Sequence, residues 1–210
     1  MVLYNEISKV LQRGETEEVQ SLIKKGLEEG SKAEDILNEG LLKGMMEMGE
    51  RWKKGEIFVP EVLIAAQAMG GAMEVLEEIL IKDNVKTKGI VVIGTVKGDL
   101  HDIGKNLVAM MMKGAGYKVI DLGVDVSADT FIETAEEHNA NFVCMSSLLT
   151  TTMPYIKTVI DEFKNRGLRD KYIIMAGGAP VTEEYVKEVG GDYYTKDAVE
   201  AADKLSEVMQ

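Results

Sequence analysis

The segment GTVKGDLHDIGKN, residues 94 to 106, contains one of only two histidines in a chain of 210 residues. His101 lies in a glycine-flanked turn after the apolar run GIVVI, with Asp99 two residues before it and Asp102 directly after it. A histidine that binds a metal usually has its second ring nitrogen held by a carboxylate, and a nearby aspartate supplies one. An imidazole at this position is equally suited to capping the helix that follows. The residue types therefore indicate either a metal ligand or a helix cap.

Any metal bound here would arrive already chelated. One histidine cannot hold a bare zinc, iron or nickel ion, because these metals require several protein ligands. Cys144 is the only cysteine, which excludes an internal disulfide and a cysteine-based zinc site. Its position in the apolar run NFVCMSS predicts a buried strand residue instead.

The first 82 residues show the spacing of apolar residues that is typical of amphipathic helices. This spacing predicts four helices, over about residues 2 to 12, 16 to 28, 31 to 55 and 60 to 82. Ser31 and Glu34 predict a capping box at the start of the third helix, and Pro60 suits the first turn of the fourth. Four helices joined by short connections predict a small bundle.

Beyond the polar segment IKDNVKTKG, short apolar runs alternate with stretches of helical spacing. The predicted strands are GIVVIGTV, YKVIDLG, NFVCMSS, KYIIMAGG and DYYT. Strands that alternate with helices form a parallel sheet covered on both faces, and five strands in about 120 residues fit the flavodoxin-like order 2-1-3-4-5. We therefore predict an α/β fold, with a helical cap domain over residues 1–82, a linker at 83–88 that serves as a hinge, and a doubly wound five-stranded domain over 89–210.

This strand order predicts where the histidine loop lies. Ligands of such sheets bind outside the carboxyl ends of the first and third strands, where the order reverses. The loops KGDLHDIG and SSLLTTTM follow those two strands, and the GGA that ends the fourth strand lies beside the third. Three unusual loops are thus expected to converge at one edge of the sheet.

The same loop excludes several nucleotide-dependent activities. Five residues separate Gly98 from Gly104, and Lys105 is followed by Asn106, whereas the ATP- and GTP-binding loop needs four residues and then serine or threonine. The dinucleotide fingerprint G-x-G-x-x-G is also missing from the first strand–helix turn. A phosphoryl receiver domain needs an aspartate at the end of the third strand, where this chain has serine and leucine.

Charge and hydrophobicity narrow the partners and the location. The formal net charge of −12, with no basic cluster, argues against nucleic acid. The N-terminal MVLYNEISKV lacks the features of a signal peptide, and no apolar run approaches the roughly 20 residues of a membrane span. We expect a cytoplasmic protein that does not bind membranes.

Three short motifs occur in order along the chain. D-x-H-x-x-G spans residues 99–104, S-x-L spans 146–148, and GG stands at 177–178. Together with the preceding helical half, they resemble the cobalamin-binding, or corrinoid, proteins of methyl-transfer systems. These include the cobalamin module of methionine synthase and the corrinoid subunits of methanol, methylamine and betaine methyltransferases.

The resemblance implies cobalamin as the cofactor and a role for each matched residue. His101 would be the lower axial ligand of cobalt, Asp99 would hydrogen-bond its far ring nitrogen, and Thr152 would extend this relay where the family has serine. The remaining implied cofactor contacts are Asp102, Ile103, Gly104, Ser146, Leu148, Thr150, Gly177 and Gly178. Ser146 and Thr150 would bond the displaced base of the nucleotide tail, and glycines would leave room for it in a slot between the first, third and fourth strands.

The helical half would cover the upper face of the corrin. In MGERWKKGEIFVPEV, the positions of two bulky apolar residues of the family match Trp52 and Val59, where phenylalanine and leucine are usual. The alternative for Trp52 is that it anchors the core of the bundle. The methionines 45, 46, 48 and 110 to 112 are expected to fill the core rather than contact cofactor, and His138 is expected at a solvated helix end.

The implied function is that of a methyl carrier without catalytic activity of its own. A substrate-specific methyltransferase would load the cobalt, an acceptor methyltransferase would pass the methyl group to tetrahydrofolate or coenzyme M, and a reductive activase would restore the cofactor. The alternatives are a cobalamin-dependent sensor and the small subunit of an adenosylcobalamin mutase. The methyl donor is not encoded in these motifs, because specificity lies in the partner proteins.

Overall fold

The computed structural model describes residues 2–83 and 87–209. The chain divides into two compact units, Met1–Thr87 with Lys113–Gly116 and Lys88–Met112 with Tyr117–Gln210. Residues 84–86 of the predicted linker lie outside the described residues, so the hinge and the exact domain limits stay predictions.

The first unit is a bundle of four helical stretches, as predicted. Their bounds are α1 (Val2–Gln12), α2 (Thr16–Glu28), α3 (Ala33–Asp35) with a π-helical segment (Ile36–Leu42) leading into α4 (Lys43–Lys53), and α5 (Val59–Lys82). Helix α1 packs against α2, α4, α5 and the π-helical segment, while α2 packs against α5. The buried side chains that form this core include Ile7, Leu11, Ile23, Ile36, Leu41, Met48, Met69 and Leu76.

The predicted capping box at Ser31 is wrong. Helix α3 begins at Ala33, its cap residue is Lys32, and no side chain bonds the free amides there. Ser31 belongs instead to the end of α2, where its amide donates to Gly26 O at 2.8 Å and the amide of Gly30 donates to Leu27 O at 3.1 Å. This pair of bonds closes the preceding helix, with Gly30 at a φ of +90°. Ser31 therefore lies one residue before the cap position of α3 and does not cap this helix.

Helix α5 corrects the expectation that no apolar run has the length of a membrane span. Its segment Val59–Leu80 has 22 residues and a mean hydropathy of 1.3, enough to cross a bilayer by length and composition alone. Side chains along the helix, among them Val62, Ala65, Met69 and Leu76, are buried in the bundle. Their burial is what a core helix of the bundle requires.

Four of the six methionines in the methionine-rich runs fill the core, whereas Met46 is exposed and Met110 is half-buried. Met45, Met48, Met111 and Met112 are buried, as predicted. Met46 is 68% exposed and so does not fill the core. It follows Met45 directly on α4, and neighbouring residues of a helix point to different sides.

The second unit is a five-stranded parallel sheet with the predicted order β2-β1-β3-β4-β5. Its elements are β1 (Ile90–Thr95), α6 (Ile103–Gly114), β2 (Lys118–Asp121), α7 (Ala128–Glu137), β3 (Phe142–Ser146), α8 (Pro154–Asn165), a 3₁₀ turn (Arg169–Lys171), β4 (Ile173–Gly177), α9 (Glu183–Val189), β5 (Tyr193–Tyr194) and α10 (Ala198–Val208). The three central strands are almost wholly buried, which explains their apolar sequences.

Two further predictions concern single residues of this unit. Cys144 is buried in β3, and burial raises the pKa of its thiol to about 12, so it is a core residue as predicted. His138 lies at the C-terminal end of α7, as predicted, and its side chain is half-buried.

Candidate functional site

The ends of three neighbouring strands lie side by side at the carboxyl edge of the sheet. Thr95 of β1 pairs with Ser146 of β3, which pairs in turn with Gly177 of β4. The chain leaves each strand at the same level, so the loops that carry the three motifs converge as predicted. Ser146 contributes its carbonyl here, which accepts a hydrogen bond from the amide of Val96 at 3.0 Å.

His101 and Asp99 form a direct side-chain pair in the first of these loops. Nδ1 of His101 lies 2.7 Å from Oδ1 of Asp99, and the amide of His101 donates to the same oxygen at 3.1 Å. Asp99 is fully buried, whereas 49% of the His101 side chain is exposed. Nε2 of His101 has no hydrogen-bond partner among the described residues. The ring is thus held at one nitrogen and open at the other.

The loop after β3 binds the second oxygen of the Asp99 carboxylate. Oδ2 accepts hydrogen bonds from the amides of Leu148 and Leu149, at 2.7 and 3.3 Å, and from the hydroxyl of Thr152 at 2.7 Å. Burial by itself would raise the pKa of Asp99, but the hydrogen bonds from Thr152, His101 and the Leu148 amide hold it below its ordinary value. Asp99 is therefore an ionised carboxylate that serves as an acceptor.

Thr152 occupies the place of the family's serine and makes the expected bond to Asp99. Its hydroxyl also lies 2.9 Å from Oγ of Ser147, which is 3.4 Å from Oδ2 of Asp99. When the hydroxyl of Ser147 donates to the oxygen of Thr152, the hydroxyl of Thr152 donates its own proton to Asp99. Sequence reasoning missed Ser147, since the S-x-L motif pointed to Ser146. The available signal was its position at the end of the apolar run NFVCMSS, and the structure shows it to be buried.

The loop after β2 supports the histidine loop from the other side. The amide of Asp125 donates to Asp99 O at 3.1 Å, and Oδ1 of Asp125 accepts from the amide of Gly98 at 2.7 Å. Asp125 has a φ of +57°, a conformation that few residues other than glycine adopt. Thr95 adds a hydrogen bond from its hydroxyl to His101 O at 2.9 Å. Nothing in the sequence pattern indicated Asp125, because its partners are about 26 residues away along the chain.

The two glycines at the carboxyl end of β4, Gly177 and Gly178, make room for protein backbone. A Cβ on Gly178 would lie 1.9 Å from Ser147 O, and the φ of Gly178 is +126°. A Cβ on Gly177 would lie 2.7 Å from Thr195 O. Their absence of side chains allows the loops after β3, β4 and β5 to approach one another, which is a reason independent of any ligand.

Four exposed apolar side chains lie in or next to the two loops that hold His101 and Asp99. Leu100 and Ile103 are 71% and 86% exposed, and Leu148 and Leu149 are 43% and 40% exposed. At Gly104 a Cβ would meet no atom within 4 Å, so the space beside the first turn of α6 is open. Large exposed apolar side chains around a polar centre are typical of a binding surface.

The other predicted residues are placed as follows. Asp102 is exposed and accepts a hydrogen bond from Nδ2 of Asn106 at 3.1 Å, and Thr150 is exposed in the turn after β3. Trp52 is half-buried near the end of α4, and Val59, at the start of α5, is 40% exposed. The roles of Trp52 and Val59 at the upper face of a corrin stay predictions.

These donors fit a metal that is already chelated. The described residues contain no group of three or more His, Cys, Asp or Glu side chains that could hold a metal ion. One imidazole, fixed at Nδ1 by a carboxylate and open at Nε2, can supply a single protein ligand to a metal that its cofactor already holds.

Comparison with known protein families gives the same answer. A family model described as B12 binding domain matches residues 89–203, and a second with the same description matches residues 3–77. The chain is a cobalamin-binding corrinoid protein. Both halves of it are matched, so its membership covers the helical bundle as well as the sheet.

Several corrinoid proteins align with nearly the whole chain. A corrinoid protein of Desulfitobacterium hafniense (strain Y51) is 39% identical over 98% of both chains. The dimethylamine corrinoid protein of Methanosarcina barkeri is 42% identical over 83% of both. A chain in the crystal structure of the methanol:cobalamin methyltransferase complex from Methanosarcina barkeri superposes with a TM-score of 0.89 and 30% identity, covering 99% of this chain and 79% of that one.

These matches confirm the predicted fold, family and cofactor. Corrinoid proteins of methyltransferase systems share both the α/β architecture and the helical region of this chain. The relatives do not assign individual residues, so the contribution of each side chain rests on the geometry described above.

Proposed function

We propose that this corrinoid protein is a methyl carrier that binds cobalamin with His101 as the axial ligand of cobalt. The observation that carries this proposal is the chain of hydrogen bonds from Thr152 through Asp99 to Nδ1 of His101, which leaves Nε2 open. When bound, cobalamin supplies a cobalt atom that accepts and releases a methyl group.

Asp99 sets the state of the imidazole. Because its carboxylate is ionised and accepts from Nδ1, the proton of the neutral ring resides on Nδ1 and the lone pair on Nε2. The hydrogen bond from Nδ1 to Asp99 would also fix the orientation of the ring toward the cofactor.

The remaining residues would bind and shield the cofactor. The exposed side chains of Leu100, Ile103, Leu148 and Leu149 would supply apolar contact to the cofactor. Ser146, Thr150, Gly177 and Gly178 would border the nucleotide tail, and Asp102 and Gly104 would lie beside it. Trp52 and Val59 would contact the upper face. These assignments follow the motifs. The crowding at Gly177 and Gly178 supports a tail that would lie beside these glycines and not directly over them.

A carrier of this kind works between partner enzymes. Relatives are named for dimethylamine, trimethylamine and methanol systems, so we propose that a substrate-specific methyltransferase determines the donor. An acceptor methyltransferase that serves tetrahydrofolate or coenzyme M and a reductive activase complete the proposal, together with a cytoplasmic location. None of these relatives is named as a sensor or as a mutase subunit, so their names do not favour those two alternatives.

The axial ligand is tested by electron paramagnetic resonance of protein reconstituted with cobalamin and reduced to Co(II). Protein labelled with ¹⁵N in histidine should change the nitrogen splitting from a triplet to a doublet, since the ligand would be an imidazole of the protein and not the cofactor's own base. His101→Ala should lose the doublet, while the matched control His138→Ala should keep it. An unlabelled triplet in the labelled protein would refute the assignment.

Methyl carriage is tested separately with the reduced protein. We expect methylation of the Co(I) form by at least one partner methyltransferase with a methylamine or methanol donor, and transfer onward to coenzyme M or tetrahydrofolate. If the protein binds cobalamin through His101 but no donor system methylates it, the carrier function is refuted and the cobalamin site is not.

A further inference from the structure

Lys105 is a buried lysine at the third position of α6. Its side chain is only 2% exposed, and a buried ammonium group is costly unless acceptors surround it. Nζ lies 2.6 Å from each carboxylate oxygen of Asp121 and 2.6 Å from Oδ1 of Asn106. Three acceptors match the three protons of the ammonium group. This lysine is the one that a phosphate loop would have used, and here it binds protein instead.

The partner of Lys105 stands at the end of a different element. Asp121 is the last residue of β2, the edge strand beside β1, and its Oδ1 also accepts the amide of Gly123 at 2.9 Å. The ion pair therefore ties the first turn of α6 to the carboxyl end of β2. A charge pair of this kind holds its geometry strongly, because breaking it by removing one partner leaves an unpaired buried charge.

The position of His101 depends on this first turn. Only three residues separate His101 from Lys105, and within the described part of the chain the imidazole hydrogen-bonds no side chain other than Asp99. The backbone of the loop is fixed before it by Thr95, which bonds His101 O, and after it by the bond from the Asn106 amide to Asp102 O at 2.7 Å. Movement of α6 would shift the loop and with it Nε2.

We infer that the Lys105–Asp121 ion pair is a positioning device for the axial ligand, which holds the start of α6 so that Nε2 of His101 faces the cofactor. The inference rests on the proposed function of His101. It assigns to Lys105 and Asp121 no contact with cobalt and no proton transfer. Their effect is on the fraction of bound cofactor that His101 ligates.

The first test compares a single and a double substitution. In Lys105→Met, the ratio of histidine-ligated to unligated Co(II) cobalamin, measured from the nitrogen splitting, should fall about tenfold. In Lys105→Met with Asp121→Asn, no unpaired charge remains, so the free energy of unfolding in urea should recover toward the wild-type value. The ligated fraction should stay low, because the tie between α6 and β2 is still missing. Recovery of ligation together with stability would overturn the inference.

Arg169→Met is the matched control. Arg169 forms a partly buried ion pair with Asp192, with Nη2 and Oδ1 2.8 Å apart, at the opposite edge of the same sheet. Its loss should lower the free energy of unfolding while leaving the histidine-ligated fraction unchanged. An equal fall of the ligated fraction in both variants would mean that general stability explains the effect of Lys105.

A measurement without cofactor separates this inference from the proposed function. In the ¹⁵N-labelled apoprotein, the Nδ1 proton of His101 should exchange slowly with water because it is bonded to Asp99. We expect exchange at least several times faster in the double variant and unchanged exchange in Arg169→Met. Unchanged exchange in the double variant would refute the positioning role, whereas failure of wild-type protein to show histidine ligation would refute only the proposed function.

Discussion

The two edges of the five-stranded sheet use polar side chains in different ways. At the amino edge, Oδ1 of Asn141 accepts the amide of Ile90 at 2.9 Å, and Oδ2 of Asp192 accepts the amide of Ile174 at 2.7 Å. At the carboxyl edge, the carboxylate of Asp99 accepts hydrogen bonds from main-chain amides and a hydroxyl, and it also bonds the imidazole of His101. The acceptors at the amino edge bond strand amides, whereas the network at the carboxyl edge includes an exposed side chain.

This difference separates structural from functional polar groups. A buried acceptor that bonds strand amides stabilises the fold, because an unpaired buried amide is costly. His101 has one satisfied nitrogen and one open nitrogen, so the network at the carboxyl edge is complete only when something binds there. The contrast predicts that equivalent substitutions at the two edges have different consequences.

The largest effect is expected from Gly178→Ala at the carboxyl edge. The new methyl group would lie 1.9 Å from Ser147 O in a backbone with a φ of +126°, so the loops after β3 and β4 would have to separate. We expect the free energy of unfolding in urea to fall by about 4 kcal/mol, among the larger costs of single substitutions. Ligation of cobalamin by His101 should weaken as well, because Ser147 and Leu148 belong to the displaced loop.

Gly190→Ala is the counterpart at the amino edge. Gly190 has a φ of +91°, but its new methyl group would meet the flexible end of the Lys164 side chain, at 2.8 Å. The expected cost is about 1 kcal/mol, with no change in ligation. Equal costs for the two substitutions would contradict the idea that the carboxyl edge is the more tightly constrained one.

An intermediate effect is expected from Asp99→Asn. At pH 7 the variant should lose about 2 to 3 kcal/mol of unfolding free energy, because its hydrogen bonds to a charged acceptor are weakened. The pKa of Asp99 is lowered on folding, so the wild-type advantage is present above the unfolded pKa of about 3.9 and is lost as the pH falls toward the lower folded pKa. Urea unfolding at pH 7 and in acid should show the gap between the two proteins closing in acid.

Asp192→Asn provides the comparison for that variant. It weakens the bonds to the Ile174 amide and to Arg169 and should cost stability at pH 7. It should leave the histidine-ligated fraction of cobalamin intact, whereas Asp99→Asn should lower it. Loss of ligation in both would show that the two edges are not functionally distinct.

The smallest effect is expected at Thr152, and it tests how the site tolerates the family's exchange of serine for threonine. Thr152→Val keeps the shape but removes the donor that bonds Asp99 at 2.7 Å, for an expected cost of about 1.5 kcal/mol. Thr152→Ser keeps the donor and should change the unfolding free energy by no more than about 0.5 kcal/mol. Histidine ligation should follow the same order, and a larger loss in the serine variant would mean that the methyl group matters more than the hydroxyl.

The sequence was most informative where structure depends on local pattern. The strands and their order followed from apolar runs and chain length, and the first two helices were predicted with the observed bounds. The Ser31 capping box failed because a serine near a helix start also lies near the end of the preceding helix, and the glycine at 30 decided between them.

The site was predictable in its centre and not in its support. His101 and Asp99 are two residues apart, so their pairing is local, and the resemblance to corrinoid proteins added Thr152. Lys105 pairs with Asp121 and Asp125 pairs with Gly98, and both pairs join segments that are far apart in the sequence. Such contacts depend on how the strands are arranged in space, and a single sequence carries no spacing rule for them.

Three main-chain amides donate to the Asp99 carboxylate, and two of them belong to Leu148 and Leu149 in the loop after β3. Substitution of either leucine side chain, proline excepted, leaves its amide in place. The main chain of this loop therefore holds the carboxylate of Asp99, while the exposed side chains of the two leucines are free to vary. Under the proposed function, substitutions at these two positions would change the apolar surface beside the cofactor without removing the amides that hold Asp99.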